Sequence, residues 1–183
     1  GRPDRLPVDD LPDEDIALAF QAGDLPVELV GDVRALVEGV RSPLAVRSSS
    51  LLEDALYRPF AGVYGTKMIP NNHFDPSIRF RRLVEAVKFV YASTWFREAR
   101  DYLHAAEQPP AAEKMAVIIQ EVVGREHRGR FYPDLSGVAR SHNFYPRGGA
   151  RPEDGVVDLA LGLGKTIVDG DIAWTYSPAF PAR

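Results

Sequence analysis

Ala45-Val46-Arg47-Ser48-Ser49-Ser50, followed by Glu53-Asp54 and then Phe60-Ala61-Gly62, is the stretch that decides how this chain is read. Leu44, Ala45 and Val46 have the composition of the end of a buried strand, which would deliver Arg47 and three hydroxyls to a rim where strand ends hold ligands. A guanidinium grips phosphate oxygens with paired donors, and serine hydroxyls and loop N–H groups add neutral donors beside it. Taken alone, Arg47 would read better as a structural partner of Glu53 or Asp54. The serine triplet and the loop at Ala61 and Gly62 turn the reading toward phosphate, because a glycine-containing loop can close backbone donors over an anion. Tyr57, Phe60 and Tyr64 could instead anchor that loop to a core.

Working outward, apolar residues recur at Leu29, Val30, Val33, Leu36, Val37 and Val40, the stripe of an amphipathic helix beginning after Pro26. A second, long helix is expected from the Pro76-Ser77 entry through Phe80, Leu83, Val87, Trp95 and Leu103, closing at Gln108-Pro109-Pro110. Strands are expected over 44–48, 115–123, 137–141, 156–162 and 171–176. Their order lacks regular βαβ alternation, so the pattern favours an α+β fold with helices packed on largely antiparallel sheets. The acidic, proline-containing start contains little to bury; residues 1–12 read as a lead-in or linker and 13–183 as one partial domain.

The chain of 183 residues is long enough for a sizeable core, and its net charge of −4 argues against a general nucleic-acid binder. The basic cluster Arg125, His127, Arg128 and Arg130 contains Glu126 and reads as a solvated loop. The repeated Phe131-Tyr132-Pro133 and Phe144-Tyr145-Pro146 read as aromatic-proline turns. The absence of cysteine excludes disulfides and thiolate metal sites and fits a cytoplasmic protein, and no apolar run is long enough for a membrane helix. Gly162-Leu163-Gly164-Lys165-Thr166 ends like a P-loop, but Leu159 stands where that loop requires glycine.

Four segments in order carry a resemblance: the Arg47 stretch with Phe60-Ala61-Gly62, then Met115 to Val123, then Ser136-Gly137-Val138-Ala139, then Gly162-Leu163-Gly164 with Val168-Asp169-Gly170. Together they resemble the nucleotide-binding domain of phosphoenolpyruvate synthase and pyruvate phosphate dikinase over roughly residues 13 to 176. The resemblance implies an ATP-grasp-like fold. It implies ATP and Mg2+ as cofactors, with ATP held by Arg47, Ser48 and Ser49, by a lid at Ala61 and Gly62, and by Gln120, Glu121 and Val123 at the adenine edge. Arg140 and Lys165 are expected to add charge to the same site. In the family a glutamate that helps hold magnesium usually follows Gly-Leu-Gly, where this chain has Lys165. Asp169 and Asp171 are nearby as possible ligands.

Relatives of this kind phosphorylate a histidine on a separate domain, which carries the phosphate to a domain that binds phosphoenolpyruvate or pyruvate. Neither domain is legible in this sequence, and none of its four histidines sits in such a setting. The expected function is therefore that of the ATP-binding portion of a larger phosphotransferase, inactive by itself. The alternative is a degenerate nucleotide-sensing or structural module without transfer, which Lys165 favours.

Overall fold

The computed structural model describes residues 11–50, 63–105, 114–164, 166–167 and 173–180. They fall into two compact units, Gly1–Val122 and Val123–Arg183.

In the first unit, strands β1 (Leu44–Ser50), β2 (Lys67–Ile69) and β3 (Met115–Glu121) form an antiparallel sheet in the order β2-β1-β3. Because side chains alternate along a strand, Leu44 and Val46 face helices α2 (Val27–Gly39) and α3 (Pro76–Ser93). They form a core there with Val37, Leu83, Ala86 and Val90. The later part of the apolar stripe read in α2 is the buried one: Val33, Leu36, Val37 and Val40 all belong to or contact this core, whereas Leu29 is exposed. Pro76 occupies the first turn of α3, and the Asp75 carboxylate accepts from the Ser77 N–H at 2.8 Å, so the helix start is capped as its sequence implies.

Arg79 is buried inside this unit, donating to the carbonyls of Val37 (2.5 Å), His73 (2.6 Å) and Phe74 (3.4 Å). Val37 lies in the last turn of α2, whose carbonyls have no partner within the helix, so the guanidinium supplies one. Asn71, with a positive φ of 50°, donates its amide to Val40 and Ser42 carbonyls and fixes the connection from α2 into β1.

The single long helix expected over Phe80 to Leu103 is two helices, α3 and α4 (Arg97–Ala105). Ser93 explains part of the break, since its hydroxyl bonds back to the Val90 carbonyl at 2.6 Å and accepts from the Gly65 N–H at 2.8 Å. Trp95 and Phe96 then donate to Ala92 and Ser93, three residues back, tightening the chain before it restarts. The restart is capped from afar: the Asp13 carboxylate accepts from the Arg97 N–H at 2.7 Å. Removing this cap by Asp13→Ala is expected to lower stability by about 1 kcal/mol, read as a shift in urea midpoint.

Asp13, Glu14 and Asp15, for which the sequence predicts no helix, make the first turn of α1 (Asp13–Ala22), where carboxylates favour the positive end of the helix dipole. Ile16 is fully buried against Ala92, with Phe20 and Leu11 beside it. Residues 1–10 and the expected helix end at 108–110 lie outside the described residues.

The second unit consists of a hairpin and a three-stranded meander. The basic cluster expected in a loop forms β4 (Arg125–His127) and β5 (Arg130–Tyr132). Arg128 and Gly129 both adopt positive φ (52° and 79°), the combination that turns two antiparallel strands tightly with their natural twist. Arg125 pairs with Asp134 at 2.8 Å, and His127 stacks on Tyr132, which is strand rather than the expected turn. Strands β6 (Leu135–Arg140), β7 (Val156–Leu161) and β8 (Trp174–Tyr176) pair antiparallel in sequence order, and a 3₁₀ turn at Pro152–Asp154 leads into β7. Every strand pair described is antiparallel, and the architecture is α+β.

Candidate nucleotide-binding site

β1 does not stop at Val46; it continues to Ser50, so Arg47, Ser48 and Ser49 lie within a strand rather than on a rim beyond it. The pleat therefore divides them. Residues directly opposite in an antiparallel pair share a face, and Ala45, Arg47 and Ser49 lie opposite Gln120, Ile118 and Ala116. Arg47 is exposed on this face, with Gln120 as its diagonal neighbour, within reach of one ligand. Ser48 follows the opposite face, in line with Val46. Two segments separated by about 70 residues in the chain are thus brought into register by the sheet alone.

Glu121 accepts from the Ser42 hydroxyl, and the next residue, Val122, donates its N–H to Pro43 at 2.8 Å, so the end of β3 is tied to the entry of β1. Val123 is exposed and opens the second unit. Arg140 ends β6, its guanidinium 3.4 Å from the Asp158 carboxylate, which also accepts from the Thr175 hydroxyl at 2.6 Å. Ala61, Gly62 and Lys165 lie outside the described residues, as do Glu53, Asp54, Tyr57, Phe60, Asp169 and Asp171. Among the described residues, no group of three or more His, Asp or Glu side chains could hold a metal ion.

The other two sequence motifs prove to be partners of one another. The Ser136 hydroxyl donates to the Gly162 carbonyl at 2.6 Å, and a Cβ built on Gly164 would stand 2.6 Å from the Ser136 Cβ. Gly137 is equally confined, since its Cβ would meet Leu159 Cδ2 at 2.6 Å. The small residues of Ser136-Gly137 and Gly162-Leu163-Gly164 are thus required for close passage of the chain. Asp158 and Thr175 carry no sequence signal that marks them as polar partners of Arg140; only the register of three strands does so.

The sequence matches, over residues 12–176, the family described as the pyruvate phosphate dikinase AMP/ATP-binding domain. The chain belongs to this family. Among curated proteins, it is 29% identical over 136 residues to the "Prodigiosin synthesizing transferase PigC" of Serratia marcescens, covering 73% of this chain. The chain spans 13% of that transferase's length. The register of β1 with β3 places Arg47 and Gln120 on one face of the sheet. No described helix is long and apolar enough to cross a membrane.

Proposed function

We propose that this chain binds ATP as the nucleotide-binding part of a larger phosphotransferase, which passes a phosphoryl group to a histidine on another domain. The observation that carries the reading is the common face of Arg47, Ser49 and Gln120, with Arg47 and Gln120 exposed, in a member of an AMP/ATP-binding family. Arg47 would neutralise phosphate charge with two parallel donors, Ser49 would add a hydroxyl, and Gln120 offers an amide with both donor and acceptor. Such transfers depend chiefly on positioning and charge neutralisation, the two things an arginine on a fixed strand supplies. Lid residues Ala61 and Gly62, with Glu121, Val123, Arg140 and Lys165, are proposed nucleotide-binding residues as well, whereas Ser48 follows the opposite face of β1. Magnesium belongs to the proposal as the ion accompanying ATP, and so does a cytoplasmic location, which the absence of cysteine fits.

The second reading, a nucleotide-responsive module without transfer, is favoured by Lys165 in the place of the family's glutamate. Calorimetry decides the shared premise. Arg47→Ala is expected to weaken ATP binding by about 1.5–3 kcal/mol, the range for a charge-assisted contact. Unchanged affinity in a folded variant would remove Arg47 from the site. Incubation of the intact protein with γ-labelled ATP then separates the two readings: label on a histidine supports transfer, and binding without label supports the module.

A further inference from the structure

The second unit holds a pocket of about 680 Å³ that shares Arg140 alone with the proposed nucleotide set. It lies at the end of the β6-β7-β8 sheet where Arg140 pairs with Val156, whereas the Ser136–Gly162 contact lies at the other end, where Leu135 pairs with Leu161. Six residues of strand separate these ends by roughly 17 Å. The pocket's size is within the range that encloses a small organic molecule.

Three features of its lining define what it would take. Phe144 and Tyr145 lie at the pocket while 74% and 85% exposed; the Phe144 ring meets His142 edge to face at 4.7 Å, and most of both aromatic surfaces stays open to a ligand. Arg140 and Arg147 face a single carboxylate, Asp158, and no described carboxylate pairs with Arg147, leaving one net positive charge. Ser177, which also lines the pocket, has a buried hydroxyl with no hydrogen-bond partner among the described residues. A buried polar group without a partner is unfavourable, and a ligand acceptor or donor would satisfy it.

The frame around these groups is already set. Asn143 donates its N–H to the Pro152 carbonyl at 2.8 Å and accepts from the Tyr145 N–H at 3.0 Å. The Asp154 carboxylate accepts from the Arg151 N–H at 2.7 Å, closing the loop at its base. Little conformational freedom at these backbone positions needs to be lost on binding.

We propose that this pocket binds a small aromatic anion, a planar ring carrying a carboxylate or a phosphate. The ring stacks on Phe144 and Tyr145, the anionic group pairs with Arg147, and the Ser177 hydroxyl hydrogen-bonds the ligand. The residues that would touch the ligand, Phe144, Tyr145, Arg147 and Ser177, lie outside the proposed nucleotide set, whereas Arg140, which lines the pocket and pairs with Asp158, is shared with it.

Titration of the full chain with 2-naphthoate, followed by calorimetry and by ligand fluorescence, tests the assignment. Binding is expected, with at least about tenfold loss in Arg147→Glu and in Tyr145→Ala, and unchanged affinity in Arg47→Ala. The neutral 2-naphthamide is expected to bind at least about tenfold more weakly. Competition by AMP that persists in Arg47→Ala would assign a phosphate-bearing ring, and failure of AMP to compete would assign a carboxylate. Both pocket residues are exposed, and circular dichroism of each variant checks that the fold persists. No naphthoate binding at millimolar concentration, or binding indifferent to both pocket variants, overturns the proposal. So does binding abolished by Arg47→Ala, which would return the ligand to the nucleotide face.

Discussion

Arg79→Ala is expected to destabilise the first unit by about 3–5 kcal/mol, the largest effect of any single change considered for that unit. The side chain is 1% exposed and its guanidinium bridges the end of α2 to the segment preceding α3 through three carbonyls. Truncation leaves those carbonyls without their donor, at about 1–3 kcal/mol for a buried unsatisfied group, and opens a cavity as well. Arg79→Met separates the two contributions because it retains most of the volume and none of the donors. Its expected loss is about 2–3 kcal/mol.

The two tryptophans make the measurement local, since Trp95 lies in the first unit and Trp174 in the second. Urea unfolding of a Trp174→Phe background reports on Trp95 alone. A stable Arg79→Met protein with an unchanged midpoint would show that the carbonyl contacts contribute nothing.

Gly155→Val is expected to destabilise the second unit by about 2–4 kcal/mol, for two reasons that add at one atom. Gly155 has φ 72°, in the left-handed region where a β-branched residue is strongly disfavoured. Its Cβ would also stand 2.7 Å from the Arg140 carbonyl oxygen, which belongs to the paired strand and cannot rotate away. Gly149→Ala provides the comparison: its φ is 89°, but no atom lies within 4 Å of the added Cβ. That variant should lose only about 1 kcal/mol, from backbone strain. Trp174 fluorescence in a Trp95→Phe background reads both. Equal losses in the two variants would mean that the contact with Arg140 is relieved by a backbone shift.

The apolar stripe located α2, and short apolar runs located β1, β3 and β7, because burial leaves its trace in the order of apolar residues. α1 was missed for the opposite reason. Its buried face is narrow, Ile16 and Phe20, and its first turn is three carboxylates that resemble a solvated tail. The break between α3 and α4 was hidden because Trp95 and Phe96 keep the apolar rhythm while Ser93 and Asp13, which end one helix and start the next, act through hydrogen bonds. In the hairpin β4-β5 the charges of Arg125, Glu126, Arg128 and Arg130 read as a solvated loop and mask the strand, whose apolar residues are Phe131 and Tyr132. As for the site, the sequence supplied Arg47 and Gln120 separately, and strand register put them on one face. It also grouped Ser48 with Arg47, which the pleat separates. Chain adjacency is a poor guide to shared chemistry in a strand, where neighbours point apart.

The pairing of β1 with β3 bears on how the chain reaches this structure. Ser50 bonds across to Met115, while in the second unit Arg140 meets Val156 after a loop about one quarter as long. Closing the longer loop carries roughly 1.2 kcal/mol more entropy loss. The meander of the second unit can therefore assemble from neighbouring segments, whereas β1 must await a strand made much later. During synthesis β1, with its apolar Leu44-Ala45-Val46, emerges well before β3 can cover its free edge. Pairing with β2 and packing on α3 occupy only one side and one face in the interval, so β1 is the segment most in need of protection from aggregation as the chain is made.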